Sequence, residues 1–130
     1  MRASGDIVLV SCYEPGYQPI AIASPAAFLR QAAMDLGLTN VEVHGGRVES
    51  WKPASPFAVV ISRAFAELAA FITSCRHLVS AEGVLAAMKG ILPRDELERL
   101  PVGCECGKVI ALKTPLLDAE RHLVLCSVTP

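Results

Sequence analysis

The chain has 130 residues, of which 52% are hydrophobic and 19% are charged. This length and composition predict one globular domain over residues 1–130, and they exclude a disordered or low-complexity chain. Twelve Lys and Arg residues against thirteen Asp and Glu give a net charge of −1, so a nucleic-acid partner would need a local basic patch. Charged residues interrupt every apolar stretch before the roughly 18 to 20 residues of a membrane span, and the N-terminus lacks the apolar core of a signal peptide. We therefore expect a cytoplasmic protein.

The first elements in chain order are a strand, a helix and a second strand. Residues 6–11 (DIVLVS) are a β-branched apolar run typical of a buried central strand. Ser24 offers a hydroxyl for a helix N-cap, Pro25 suits the first helical position, and apolar residues recur at helical spacing until Gly37. Val41–His44 predicts the next strand.

The rest of the chain continues the alternation and ends in two strands. The predicted elements are a buried strand over Phe57–Ser62, a helix with apolar residues Leu68, Phe71, Ile72, Cys75 and Leu78, a strand over Gly83–Met88, a helix from Pro93 to Leu100, and strands over Lys108–Lys113 and His122–Val128. No helix is predicted between the last two strands, so we expect them to pair antiparallel. This order favours the α/β class, a three-layer sandwich with a mostly parallel sheet and a C-terminal antiparallel hairpin.

The five cysteines are odd in number and irregular in spacing, which favours reduced thiols over a disulfide framework. Cys104 and Cys106 form a C-x-C pair. A structural zinc site needs about four ligands, and the three histidines supply no matching spacing. We therefore predict no metal site, and a redox or metal pair at Cys104 and Cys106 stays as an alternative.

Several sequence blocks carry information about function. They are FLRQ and LGLTNVEV at 28–31 and 36–43, RVE at 47–49, VISRAF at 60–65, MKG at 88–90, PLL at 115–117 and DAERHL at 118–123. In order and spacing over 27–128, the chain resembles the bacterial small-subunit ribosomal RNA guanine-N7 methyltransferases, the RsmG family, also called glucose-inhibited division protein B. The resemblance implies a Rossmann-like methyltransferase fold, S-adenosylmethionine (SAM) as cofactor and small-subunit (16S) ribosomal RNA as partner.

The resemblance also implies which residues contact the cofactor. Val48 and Glu49 match the family's segment beside the adenine, and Arg63 matches the arginine that follows the fourth strand near the cofactor. From its position alone, Arg63 fits either a ligand crevice at the end of a parallel strand or a solvated, helix-capping arginine.

Three further basic residues match family positions on the RNA side: Arg47, Lys89 and Arg121. A guanidinium can donate two parallel hydrogen bonds to a phosphate or a guanine edge. Spacing alone leaves two alternatives open, a simple turn at Lys89 and a structural pair between Asp118 and Arg121. We assign no catalytic base, because guanine N7 already carries a lone pair and methyl transfer to it requires alignment rather than proton removal.

The N-terminal part departs from the family pattern. Where the family has a glycine-rich cofactor loop such as GSGAGFPG after the first strand, this chain has SCYEPG at 11–16, whose side chains occupy positions where a ligand needs the backbone to come close. The family's second strand, with the acidic end that holds the ribose, is missing between 19–25 and 26–28. Residues 1–26 are therefore expected to form a degenerate first strand and cofactor loop.

These departures motivate an alternative function and a prediction about assembly. The alternative is a non-catalytic methyltransferase-fold module that binds no SAM and acts by binding or self-association. Loss of a strand should also leave an exposed sheet edge or apolar surface. We therefore expect a homodimer that covers this surface.

Overall fold

A computed structural model of the chain describes residues 7–11, 25–39, 41–45, 47–63, 67–116 and 118–129. The chain divides into two compact units, residues 1–52 and residues 53–130. The described strands form one sheet of two strands and one of four. The predicted cofactor loop and the N-cap at Ser24 lie outside the described residues, and the single domain expected from composition stays a prediction.

The N-terminal unit contains a parallel pair of strands. Its elements are β1 (Ile7–Ser11), α1 (Pro25–Asp35), β2 (Val41–Gly45) and a short 3-10 helix (Val48–Ser50). β1 pairs directly with β2, with Ile7 beside Val41. Gly37 adopts a φ of +66° just after α1, and the N–H of Leu38 donates to the carbonyl of Ala33 at 2.9 Å, which is the helix end that the sequence predicts.

The C-terminal unit contains a mixed four-stranded sheet. Its elements are β3 (Phe57–Arg63), α2 (Leu68–Cys75) continued by a 3-10 turn (Arg76–Leu78), β4 (Val79–Lys89), α3 (Arg94–Leu97), β5 (Cys104–Leu112) and β6 (Arg121–Val128). The strand order is β3-β4-β6-β5. β3 is parallel to β4, whereas β6 is antiparallel to both β4 and β5. The α/β class and the antiparallel pairing of the last two strands are confirmed.

The core of this unit combines α2 with the centre of the sheet. All five apolar positions that the sequence assigns to one helix face are buried: Leu68, Phe71, Ile72, Cys75 and Leu78. On the sheet, Leu85 lies beside Cys126 and Ala87 beside Val124, and each of these four is 3% exposed or less. The helical spacing of these residues therefore predicted the buried face correctly.

β3 differs from its prediction as a fully buried strand. Val59 and Ile61 are each 60% exposed, which makes that prediction wrong for one face of the strand. β3 is an outer strand of the four-stranded order, so an apolar run that resembles a central strand in sequence is only half covered here. The expected homodimer stays a prediction, and light scattering is its test.

Two elements differ in length from their predictions. β4 begins at Val79 rather than at Gly83, because Phe57 of β3 pairs with Val79 ahead of a register shift. α3 ends at Leu97 rather than at Leu100, and the N–H of Arg99 donates to the carbonyl of Glu96 as the chain turns away. Among the described residues, no helix combines the length and apolar character needed to cross a membrane.

Candidate functional site

The ends of three strands bring predicted site residues to one edge of the four-stranded sheet. Arg63 ends β3 and lies beside Met88, while Lys89 ends β4 and lies beside His122. Arg121 begins β6 next to His122. In sheets with parallel strands, ligand crevices form at the carboxyl ends. We call Arg63, Lys89, Arg121 and His122 the carboxyl edge.

The two cations that end the parallel strands lie on opposite faces of the sheet. Neighbouring residues in register share a face, and successive residues along a strand alternate between faces. Arg63 shares a face with Met88, which is 39% exposed, and Arg63 is itself exposed. Lys89 points to the other face, where its side chain is only 13% exposed. Two residues that look alike in sequence therefore have different surroundings.

Lys89 is held by a carboxylate. Its Nζ lies 2.8 Å from Oε1 of Glu96, and the same oxygen accepts a hydrogen bond from the N–H of Leu68 at 2.7 Å. Leu68 is the first residue of α2, whose N-cap residue Glu67 makes no side-chain capping bond. The Glu96 carboxylate therefore satisfies an N–H at the positive end of α2 as well as the ammonium of Lys89.

The environment of Glu96 favours its ionised form. Burial raises the pKa of this carboxyl, but the hydrogen bonds from Lys89 and Leu68 and the charges of Lys89 and Arg99 outweigh burial and lower the pKa below its ordinary value. The sequence placed Glu96 at the start of a helix but gave no signal for these contacts, which span 7 and 28 residues of chain.

Arg121 and His122 are tied to backbone carbonyls. Nη1 of Arg121 donates to the carbonyl of Glu120 at 2.8 Å. Nδ1 of His122 lies 2.8 Å from the carbonyl of Gly90, and because a carbonyl can only accept, Nδ1 is the protonated nitrogen in this contact. His122 thus links the start of β6 to the turn after β4. His122 was not among the predicted site residues, although it lies in the DAERHL block, which was the signal that could have identified it.

The remaining predicted residues lie together in the N-terminal unit. Arg47 precedes the 3-10 helix, and its Nε lies 3.8 Å from Oε2 of Glu49, with side chains 62% and 47% exposed. Val48 between them is buried at 4% exposure, and its carbonyl accepts a hydrogen bond from the N–H of Trp51. Glu49 can therefore offer its carboxylate to a ligand, whereas Val48 can offer only backbone.

The cysteines differ from the prediction of reduced thiols. Cys106 of β5 and Cys126 of β6 form a disulfide. The pairs Glu105–Ser127 and Lys108–Leu125 leave two residues of β5 facing one residue of β6, which places Cys106 opposite Cys126. The pairing depends on strand register across 20 residues of chain, which cysteine spacing does not reveal.

Comparison with known proteins identifies relatives for most of the chain. The profile of the GidB family, described as rRNA small subunit methyltransferase G, matches residues 23–124. The ribosomal RNA small subunit methyltransferase G of Laribacter hongkongensis is 50% identical over 97 residues, which are 75% of this chain and 47% of that protein. The protein of the same name from Burkholderia vietnamiensis is 41% identical over 128 residues, covering 93% of this chain and 56% of that protein. The chain spans about half the length of these relatives.

Two solved structures share the fold at low sequence identity. An rRNA methylase from Streptococcus thermophilus superposes with a TM-score of 0.52 at 14% identity, covering 96% of this chain and 74% of that one. A variant of MtNAS in complex with S-adenosylmethionine gives a TM-score of 0.57 at 19% identity, covering 95% of this chain and 45% of that one. These matches confirm the methyltransferase type of α/β fold.

Proposed function

The chain belongs to the GidB family, rRNA small subunit methyltransferase G, and from that premise we propose that it methylates N7 of a guanine in small-subunit (16S) ribosomal RNA with SAM as methyl donor. The observation that carries the proposal is Arg63, an exposed guanidinium at the carboxyl end of a parallel strand inside the matched segment. This is where the fold class places ligands.

Each of the two units, taken by itself, offers groups that suit a part of SAM. Arg63 offers an exposed cation, and Glu49 offers an exposed carboxylate that can accept hydrogen bonds from an adenine amine. The buried side chain of Val48 limits its contribution to the backbone N–H. We therefore propose Arg63 and Glu49 as side-chain contacts to the cofactor and Val48 as a backbone contact.

The proposed RNA contacts rest on Arg47 and Arg121 more than on Lys89. Arg47 is exposed at 62% of its side chain, and Arg121 lies at the carboxyl edge. Planar guanidinium groups match phosphate oxygens and guanine edges. Lys89 stays in the proposed set, but its ammonium is bonded to the carboxylate of Glu96. Its main proposed role in RNA binding is therefore to fix the position of the carboxyl edge.

The reaction needs alignment and no protein base. The N7 lone pair forms a bond to the methyl carbon of SAM while the bond from that carbon to sulfur breaks, and the sulfur leaves as a neutral thioether. Positive charge moves from sulfur to the guanine ring, and no proton is transferred. Holding the two reactants in line supplies up to roughly 7 to 11 kcal/mol of barrier reduction in favourable cases.

Calorimetric titration with SAM and with its demethylated product tests the proposal. We expect micromolar binding that Arg63→Ala weakens at least tenfold, since a hydrogen bond to a charged group contributes about 1.5 to 3 kcal/mol. Arg94→Ala is the matched control, because Arg94 is also an exposed arginine but lies outside the carboxyl edge and is expected to leave binding unchanged. Transfer of a labelled methyl group to small ribosomal subunits, located at N7 of guanine, would complete the test.

The opposite result would favour the alternative. No heat at millimolar SAM, with the protein shown to be folded, would overturn SAM binding by this chain and leave a non-catalytic module. The relatives carry the name of an enzyme, so this alternative gains no support from them. A cytoplasmic location and a homodimer remain part of the proposal.

A further inference from the structure

A third cysteine lies beside the Cys106–Cys126 disulfide. The sulfur atoms of Cys104, Cys106 and Cys126 all lie within 4.8 Å of one another. Among the described His, Cys, Asp and Glu residues, these three form the cluster in which ligand atoms come close enough to share a metal ion. The cluster lies outside the carboxyl edge and has no part in the proposed methyl transfer.

Strand register explains how the three side chains converge. Cys104 and Cys106 are two residues apart on β5 and share a face of the strand, while Glu105 between them is exposed. Cys106 faces Cys126 where β5 bulges against β6. Cys126 is 1% exposed beside the buried Leu85, whereas Cys104 and Cys106 are half-buried. The cluster therefore contacts the hydrophobic core on the side of Cys126 and is accessible to solvent on the side of Cys104 and Cys106.

We propose that Cys104, Cys106 and Cys126 form a thiolate site that binds one soft d10 cation, represented by Zn²⁺, when the cysteines are reduced, and that the Cys106–Cys126 disulfide is the oxidised state that excludes the metal. Zinc bonds to thiolate sulfur at about 2.3 Å, which places the sulfurs of a tetrahedral site about 3.8 Å apart. On reduction, the sulfurs of Cys106 and Cys126 would have to separate to this distance, whereas the sulfur of Cys104 already lies within 4.8 Å of both. Water completes the fourth position from the accessible side.

The local charge suits an anionic metal centre. Three thiolates around a divalent cation carry a net charge of −1. The guanidinium of Arg76 lies close to Cys104, because its Nη1 donates to the carbonyl of Val102 at 3.1 Å and its Nη2 lies 3.0 Å from the position that a Cβ on Gly103 would take. A cation that displaces the thiol protons would leave the centre beside a positive neighbour.

Oxidation of the site is a two-electron exchange. The thiolates of Cys106 and Cys126 lose two electrons and form their bond, while a low-molecular-weight disulfide such as oxidised glutathione accepts the two electrons, takes up two protons from water and leaves as two thiols. Cys104 then remains as a single thiol ligand. One thiolate cannot hold the ion that three had bound, so the metal is released.

Metal binding by the full chain tests the site directly. The protein is reduced with a phosphine, stripped of metal with a chelator, and titrated with Zn²⁺ in competition with a chromophoric chelator. We expect one ion per chain. The absorption of bound Co²⁺ should show thiolate charge-transfer bands, a readout independent of any activity. Treatment with oxidised glutathione should release the ion with loss of two titratable thiols.

Single substitutions separate this site from adventitious binding. Cys104→Ser and Cys106→Ser should each weaken the affinity at least about tenfold, since even groups that only support a ligand are worth about 10- to 100-fold. Cys104→Ser is the decisive variant, because Cys104 is half-buried and takes no part in the disulfide. Cys75→Ala is the matched control, since Cys75 belongs to α2 and lies outside the cluster.

Three outcomes would overturn the proposal. The first is a reduced, folded protein that binds no Zn²⁺ above the level of the chelator. The second is an affinity that Cys104→Ser leaves unchanged or that Cys75→Ala lowers equally. The third is oxidation that forms the disulfide without releasing the metal, which would remove the link between the two states.

Discussion

The four-stranded sheet has two groups of reactive or charged side chains, the carboxyl edge near one end and the cysteine cluster towards the other. Lys89 and His122 lie side by side at the carboxyl edge, whereas Cys126 lies beside Leu85, several residues further along the same two strands. The carboxyl edge follows from short local motifs, each at the end of one predicted strand. The cysteine cluster combines the local C-x-C pair with Cys126, which joins that pair only through the way β5 and β6 pair. Local motifs therefore indicate the whole position of the carboxyl edge, whereas the cysteine cluster is complete only through strand register.

The largest effect is expected from Glu96→Ala at the carboxyl edge. This change leaves the ammonium of Lys89, 13% exposed, without its carboxylate, and removes the acceptor for the N–H of Leu68. Breaking a partly buried charge pair with a second hydrogen bond should lower the free energy of unfolding by about 2 to 3 kcal/mol. Urea unfolding followed by circular dichroism measures the loss.

Asp95→Ala is the control for that prediction. Asp95 also lies in the first turn of α3 and carries the same charge, but it is exposed. Exposed substitutions of this kind usually change stability little. If Asp95→Ala and Glu96→Ala destabilise the protein equally, the contacts of Glu96 are not what stabilises this edge.

The sequence predicted the elements better than it predicted the contacts between them. The apolar face of α2 was correct to the residue because helical periodicity alone determines it. The exposure of Val59 was missed, because an outer strand and a central strand can share the same apolar run. The contacts of Lys89 with Glu96 and of Cys106 with Cys126 were missed, because both depend on tertiary geometry.

A second prediction concerns Gly83 in β4, the strand that contains both Lys89 of the carboxyl edge and Leu85 beside Cys126. A Cβ added to the buried Gly83 of β4 would lie 2.8 Å from the carbonyl oxygen of Ala58 in β3. Because backbone cannot move aside cheaply, Gly83→Ala should lower the free energy of unfolding by about 1 to 2 kcal/mol, within the usual range for overpacking. Gly107→Ala is the matched control, since a Cβ there has nothing within 4 Å. Equal thermal shifts for the two variants would contradict this explanation.

A smaller effect is expected from pH. The pKa of Glu96 is lower in the folded chain than its ordinary value, so the unfolded chain binds the proton more tightly. The stabilisation is complete above the ordinary carboxyl pKa and is lost as pH falls through the folded value. Glu96→Gln should therefore reduce the loss in free energy of unfolding that the original protein shows as pH falls through this range, as measured by urea unfolding at a series of pH values. A loss that Glu96→Gln leaves unchanged would assign the effect to other carboxylates.

The smallest change in stability is expected from substitution of Arg63. Comparing this substitution with the same change at Lys89 distinguishes a ligand-binding residue from a structural one. Arg63 is exposed, so Arg63→Gln should leave the free energy of unfolding within about 0.5 kcal/mol of the original. Lys89→Gln should destabilise the protein clearly, because it removes the partner of Glu96. Of these two variants, only Arg63→Gln should weaken SAM binding without loss of stability, as a ligand contact requires. If Arg63→Gln destabilises the protein as much as Lys89→Gln, Arg63 is a structural residue, and the proposed cofactor site loses its main support in the C-terminal unit.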